Sequence, residues 1–480
     1  MSAAAEIRLA RRHGRAGLAK GNRMSRMTSR RRFLKTSLAA MATAQIVPGF
    51  VLGLNGQTPP SETVNLAGIG VGGVGFGQLK SCVEAGFRIA ALCDVDDLYA
   101  KKAYDRWPQA RRYRDYREML QAESERIDAV YCGTPDHTHA VITLAALRRK
   151  KHVCCVKPLT RTLAECRAVV TTARAAGVAT QVTASPNTSD AACRTCELIA
   201  AGAIGPVREV HIWTDRPLWP QGMTRPAGQD LVPATLDWDL WIGPAPMRPF
   251  KNEWTEGDLP LQQIAANRGK KPHSKGIYHP WNFRGWWDFG TGALGDMGCH
   301  HFNTPFRALN LEHPTAVEAT ATRVFEETAP LASIVTYDFP ARDGMPPIRL
   351  VWYDGGLKPP APPELGKPLP DQGVLYLGDE GKMLGPTILS ADRAKKFESV
   401  PKTLRRRGGV YVEWMEAIRG GEKAGCHFDW AERLTGAVLL GNIAIRVGRR
   451  IEWDATRMRV TNVESANRFI QQPYREGWTL

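Results

Sequence analysis

From Val64 onward, short apolar runs alternate with stretches of helical periodicity. Val64–Gly68, Arg88–Cys93, Ala129–Gly133, His152–Val156 and Ala179–Thr183 have the length and composition of strands. Between them, Val74–Ala85, Leu98–Arg106, Ala140–Lys150 and Ala164–Ala176 carry apolar residues three or four apart and read as helices. Strands separated by single helices predict a parallel, doubly wound sheet. The texture changes near Gly205-Pro206. Val207–Thr214, Thr315–Val324, Ile334–Asp338 and Ile348–Tyr353 follow with few helices between them and predict a mainly antiparallel sheet. Residues 215–292, rich in Trp, Pro and Gly, read as long loops, and loops of that length are usually functional. Trp430–Val447 reads as a helix and Arg450–Trp453 as a strand. The expected fold class is α/β, with a doubly wound domain over 63–185, a sheet domain over 186–455 and a tail over 456–480.

Composition changes this picture little. A chain of 480 residues exceeds the ~150 of a typical domain. Its 43% hydrophobic and 23% charged content excludes general disorder. No apolar run reaches the ~18 residues of a spanning helix, so stable membrane insertion is not expected. Charge is informative only by its location. Residues 1–35 hold eleven Lys/Arg and one acid, a net +10 of the chain's +16, leaving +6 over the other 445 residues. So mildly basic a body does not predict a nucleic-acid partner.

The basic cluster has its own meaning. Ser29-Arg30-Arg31-Arg32-Phe33-Leu34-Lys35 precedes an apolar stretch from Thr36 to Val47, the arrangement of a twin-arginine export signal. Residues 1–44 are read as that signal region and 45–62 as a linker. The expected location is periplasmic, with the twin-arginine machinery as an export partner. That route carries folded proteins, so a cofactor acquired in the cytoplasm can travel with the chain. The ten cysteines are too sparse for a disulfide scaffold. Cys193-x-x-Cys196 lies in a helical pattern and is read as packing, and no metal site is expected.

Four motifs carry chemistry. Gly68-Ile69-Gly70-Val71-Gly72-Gly73 follows a strand and opens a helix. Gly68, Gly70 and Gly73 allow a tight turn against a pyrophosphate, and the helix start presents free N–H groups to it. Asp94 ends the second strand, 21 residues after Gly73, where a carboxylate grips a ribose hydroxyl and repels a 2′-phosphate. NAD is therefore favoured over NADP. Gly133-Thr134-Pro135-Asp136-His137-Thr138-His139 follows the third strand, which places Thr134, Pro135 and His139 beside the cofactor. Lys157-Pro158 leaves the fourth strand at the same edge. Asp296 and His300, four apart, share one helix face, where a carboxylate can orient an imidazole.

In this order and spacing, the motifs resemble the Gfo/Idh/MocA family, from about Val64 to Trp453. The resemblance implies a Rossmann domain, a C-terminal α/β domain whose open sheet serves a homo-oligomer, and bound NAD. It implies Lys157, Asp296 and His300 as catalytic residues, with Lys157 also beside the nicotinamide. Val156 stands where relatives carry glutamate, and Thr183–Asn187 replaces a run rich in Asn, Gln and His. The expected reaction is oxidation of a hydroxyl on a sugar or glycoside, with hydride transfer to NAD. Trp281, Trp286 and Trp287 are expected to stack on the sugar, with Tyr278, His279 and Arg284 as polar contacts. An exported enzyme keeps its cofactor only by closing its own redox cycle. Either a second substrate takes the hydride, or the same sugar is oxidised, cleaved, hydrated and reduced, a redox-neutral glycoside hydrolase. A non-catalytic sugar-binding relative is the remaining alternative.

Overall fold

The computed structural model describes residues 63–254, Gln262 and 276–480. The signal region 1–44 and the linker 45–62 lie outside the described residues. Six strands build the first sheet: β1 (Asn65–Ile69), β2 (Arg88–Cys93), β3 (Arg111–Tyr113), β4 (Ala129–Cys132), β5 (His152–Val156) and β6 (Thr180–Thr183). Their order is β3-β2-β1-β4-β5-β6 and every pair is parallel. The order reverses between β1 and β4, and a crevice opens there at the strands' carboxyl ends. Central strands such as β4, buried at every position, show the continuous apolar run of a sheet covered on both faces.

Nine strands build the second sheet: β7 (Val207–Trp213), β8 (Ala316–Ala321), β9 (Ser333–Phe339), β10 (Ile348–Tyr353), β11 (Gly373–Gly378), β12 (Gly381–Leu384), β13 (Thr387–Ile388), β14 (Ile451–Asp454) and β15 (Arg459–Val460). Their order is β13-β12-β11-β7-β10-β9-β8-β14-β15. The expected antiparallel pairing holds except at β7 and β10, which run parallel at the centre. The long helix Phe428–Val447 crosses this sheet and packs on the helix Gly292–His301. The two approach closely because a Cβ on Gly298 would lie 2.6 Å from Val438.

Three expectations need correction. The helix after β4 begins at Asp136, not Ala140, so Asp136–His139 form its first turn rather than a loop. Residues 456–480 are no loose tail: β15 pairs with β14, and Val460, Ala466 and Ile470 are buried in the core. The strands β11–β13 and the helix Val410–Ile418 went unread because their short apolar segments lie among Gly, Pro and charged residues.

The glycine turn sets the crevice. Gly70 has φ +73°, and a Cβ there would meet the Gly133 and Thr134 backbone at 2.7 Å. Gly70→Ala is expected to lower unfolding stability by about 1–3 kcal/mol from backbone strain, with more from the clash. Chemical denaturation monitored by far-UV dichroism checks this.

Candidate active site

A single cleft of about 450 Å³ runs from the glycine turn to the helix Gly292–His301. At one end, Gly70, Gly72, Val74 and Gly75 line it where the helix Val74–Glu84 begins. First-turn N–H groups lack partners further along the helix, and here Gly75 N–H turns back to the Gly72 carbonyl at 2.9 Å. Asp94 clamps the turn: one oxygen accepts from Val71 N–H at 2.9 Å and Gly72 N–H at 3.0 Å, and the other from Asp96 N–H at 3.1 Å. Burial raises its carboxyl, against the opposing pull of the Asp96 N–H, His279 and the turn's N–H groups. Asp94 therefore shapes the cradle as well as lining it. Tyr99 covers Gly72 and Gly73, where added Cβ atoms would lie 2.1 and 1.9 Å from it. His279 accepts from Trp241 Nε1–H at 3.0 Å on Nδ1, which leaves Nε2–H to donate to Asp96 at 2.9 Å. Thr134 and Pro135 line the floor. Side-chain-free turn, helix start, carboxylate and apolar floor together fit a dinucleotide.

At the other end, β5 delivers Lys157 and the helix Gly292–His301 delivers Asp296 and His300. Lys157 Nζ is bonded to Asp296, and Arg284 Nε donates to the same oxygen at 3.0 Å. Burial alone would raise the Asp296 carboxyl, but Lys157 and Arg284 hold it well below the usual carboxylate range. The expected orientation of His300 by Asp296 is not what forms. The carboxylate turns to the two cations, and His300 Nδ1 instead meets Ser185 Oγ at 3.2 Å. Burial, with Lys157 beside it, pushes the His300 imidazole down to about 3, so it is neutral at ordinary pH. Ser185 is a site residue that sequence reasoning treated only as part of an altered run. Arg216, Trp219 and Trp478 also line the cleft, and no spacing rule announced them.

Several expected ligands do other work. Tyr278, Trp286 and Trp287 are 2%, 0% and 5% exposed and do not line the cleft. Tyr278 and Trp286 pack together with Phe289, because a mixed loop of this length must build its own apolar core. Of that group, Trp281, His279 and Arg284 do reach the cleft. His139 is fully buried, with one ring nitrogen 2.7 Å from the Pro158 carbonyl and the other 2.8 Å from that of Thr134. It braces the two loops instead of touching a cofactor. Its neighbours Cys132 and Cys155 complete the one three-residue group of metal-ligand type among the described residues.

Residues 64–184 match the NAD-binding Rossmann domain of the GFO_IDH_MocA oxidoreductase family, and residues 378–480 match that family's C-terminal alpha/beta domain. Two models of one oxidoreductase family, Gfo/Idh/MocA, thus match this chain, one in each domain. An inositol 2-dehydrogenase of Salmonella paratyphi B is 30% identical over 105 residues, 21% of this chain and 31% of that protein. A glycosyl hydrolase family 109 protein of Shewanella woodyi is 32% identical over 126 residues, 24% of this chain and 27% of that protein. The chain thus aligns with less than a third of the length of these two Gfo/Idh/MocA relatives. Among solved structures, the WlbA dehydrogenase of Bordetella pertussis, in complex with NADH and UDP-GlcNAcA, superposes with a TM-score of 0.55 at 14% identity. That superposition covers 82% of this chain and 99% of WlbA, and it shows the same fold.

Two outcomes follow from the charges of this cleft. Asp296→Asn leaves the buried Lys157 ammonium without its carboxylate and is expected to cost about 3–5 kcal/mol of unfolding free energy, read from urea midpoints. His137, His300 and His301 are pushed by burial from 6.5 down to about 3, 3 and 4. Between those values the unfolded chain binds more protons, so stability is full above pH 6.5 and falls as pH drops toward 4. The Asp296 pair is lost only at lower pH. His300→Gln is expected to flatten this slope by one proton; an unchanged slope contradicts the assignment.

Proposed function

We propose that this chain is an exported, NAD-dependent oxidoreductase acting on a hydroxyl of a sugar or glycoside. One observation carries the reading: the glycine turn with Asp94 and the Lys157–Asp296–His300 cluster line two ends of the same cleft. Bound along that cleft, NAD supplies a hydride acceptor. The residues do the rest. Asp296 stays ionised and holds the Lys157 ammonium in place, where its remaining N–H groups can donate to the substrate oxygen. His300, neutral and tied to Ser185 through Nδ1, keeps Nε2 to take the hydroxyl proton. Trp281, with the Arg284 guanidinium 4.0 Å from its ring centre, forms a wall on which a sugar face can stack. The Salmonella relative, named for a polyol dehydrogenase activity, supports a hydroxyl on a ring carbon.

Export belongs to the same proposal. The Ser29–Lys35 pattern supports it, as do ten cysteines that are all buried and unpaired. Such thiols fit folding in a reducing cytoplasm before translocation. The cofactor then stays bound and the redox cycle closes on the enzyme. A homo-oligomer through the open face of the nine-stranded sheet completes the proposal. A second reading, redox-neutral cleavage of a glycoside, draws on the similarity to the family 109 hydrolase.

Native protein purified from the periplasm and then denatured is expected to release NAD, detected by mass spectrometry. A pyranoside screen following reduced-nicotinamide absorbance is expected to find a substrate. Release of aglycone without net reduction selects the hydrolase. Lys157→Met is expected to keep bound NAD and lose about 10²–10⁴-fold in turnover. Protein holding no nicotinamide and inert toward every pyranoside would overturn the reading.

A further inference from the structure

A second cavity, of about 30 Å³, shares no lining residue with the cleft. It lies at the start of the helix Gly292–His301, between Thr291, Arg161, Trp287, Asn442, Arg446 and Gln472. Its polar character is one-sided. Arg161, 6% exposed, spends Nη1 on the Trp287 carbonyl at 3.1 Å and on Gln472 Oε1, but its Nε has no partner. Trp287 Nε1 is also buried without a partner. Arg446 stacks on Trp287 and Phe469, 5.2 and 3.9 Å from their ring centres.

Among the described residues, no carboxylate forms an ion pair with Arg161 or Arg446. Asp288 is bonded to Arg248, and Glu326 is exposed. Glu165 accepts from the Arg161 and Thr162 N–H groups and the Tyr474 hydroxyl. Burial and the facing Arg161 pull the Arg446 guanidinium down to about 10. Two cations and two orphan donors thus border one cavity, whereas buried donors are almost always satisfied.

Two acceptors on its wall are engaged: Gln472 Oε1 takes Arg161, and the Thr291 carbonyl takes Asn442 Nδ2 at 2.8 Å. A water here would have to accept from several N–H groups and still place its own protons. A spherical anion accepts from all of them and offsets the charge. The volume exceeds the ~10–15 Å³ that one water needs and has room for a small ion.

We propose that this cavity binds one small monovalent anion of the halide class. Bound there, the ion braces Thr291, which directly precedes the helix bearing Asp296 and His300 and donates to Asp136 at 2.7 Å.

Crystals of the purified protein grown in sodium bromide test this at the bromine absorption edge. An anomalous peak in contact with Arg161 Nε and Trp287 Nε1 is expected; a refined water or an empty cavity overturns the proposal. A melting series in sodium bromide and sodium gluconate at equal ionic strength separates a built site from an adventitious ion. The wild type is expected to melt higher in bromide, by an amount that grows with concentration, and Arg446→Met to lose that difference. Equal wild-type midpoints overturn the proposal even where a peak is seen, and this comparison stands if Arg446→Met fails to fold.

Discussion

The buried ion pair between Lys157 and Asp296 joins the two sheets at the point where chemistry is proposed. One partner comes from the exit of β5 and the other from a helix lodged against the second sheet. Neither charge can be left alone at about 15% exposure without a large desolvation cost. The pair is therefore a positional constraint more than a source of net stability. It fixes the height of the Gly292–His301 helix over the Rossmann edge, and His300 follows one turn further on. Arg284 adds a second cation to the same oxygen and ties the aromatic loop into that geometry.

Around this constraint, the elements divide their labour. Asp94 stiffens the glycine turn, and His139 locks the two loops beside it by main-chain carbonyls. Thr291 links the Rossmann helix at Asp136 to the start of the Gly292–His301 helix, and Asn442 holds Thr291 from the long helix behind. The aromatic loop supplies its own core, so that Trp281 and Arg284 face the cleft from a supported wall. Groups that touch the cleft are thus each held by a partner that does not.

Much of this was legible from the residues. β2, β5 and β10 emerge with the boundaries that their apolar runs predict. Lys157, Asp296 and His300 meet in one cleft, as motif order implied. β3, Arg-Arg-Tyr, was not legible, since a three-residue edge strand has no core side to show. The first turn Asp136–His139 was hidden because its residues are polar and yet buried. Which aromatics of the loop face outward was equally hidden, since Trp281 and Trp286 stand five residues apart in one loop of mixed composition. Ser185 meets His300 across 115 residues, a contact that no local pattern records.

The parallel pairing of β7 with β10 carries one more consequence. Glu209 finds Arg349 140 positions further along the chain, and the remaining strands add outward from that central seam. A sheet whose middle depends on so distant a partner has high contact order, and loop closure must be met before any hydrogen bond rewards it. Its assembly is slow compared with that of the locally wired Rossmann half. During that interval the apolar strands of the second sheet wait for one another, the stage at which a holding chaperone has most to protect.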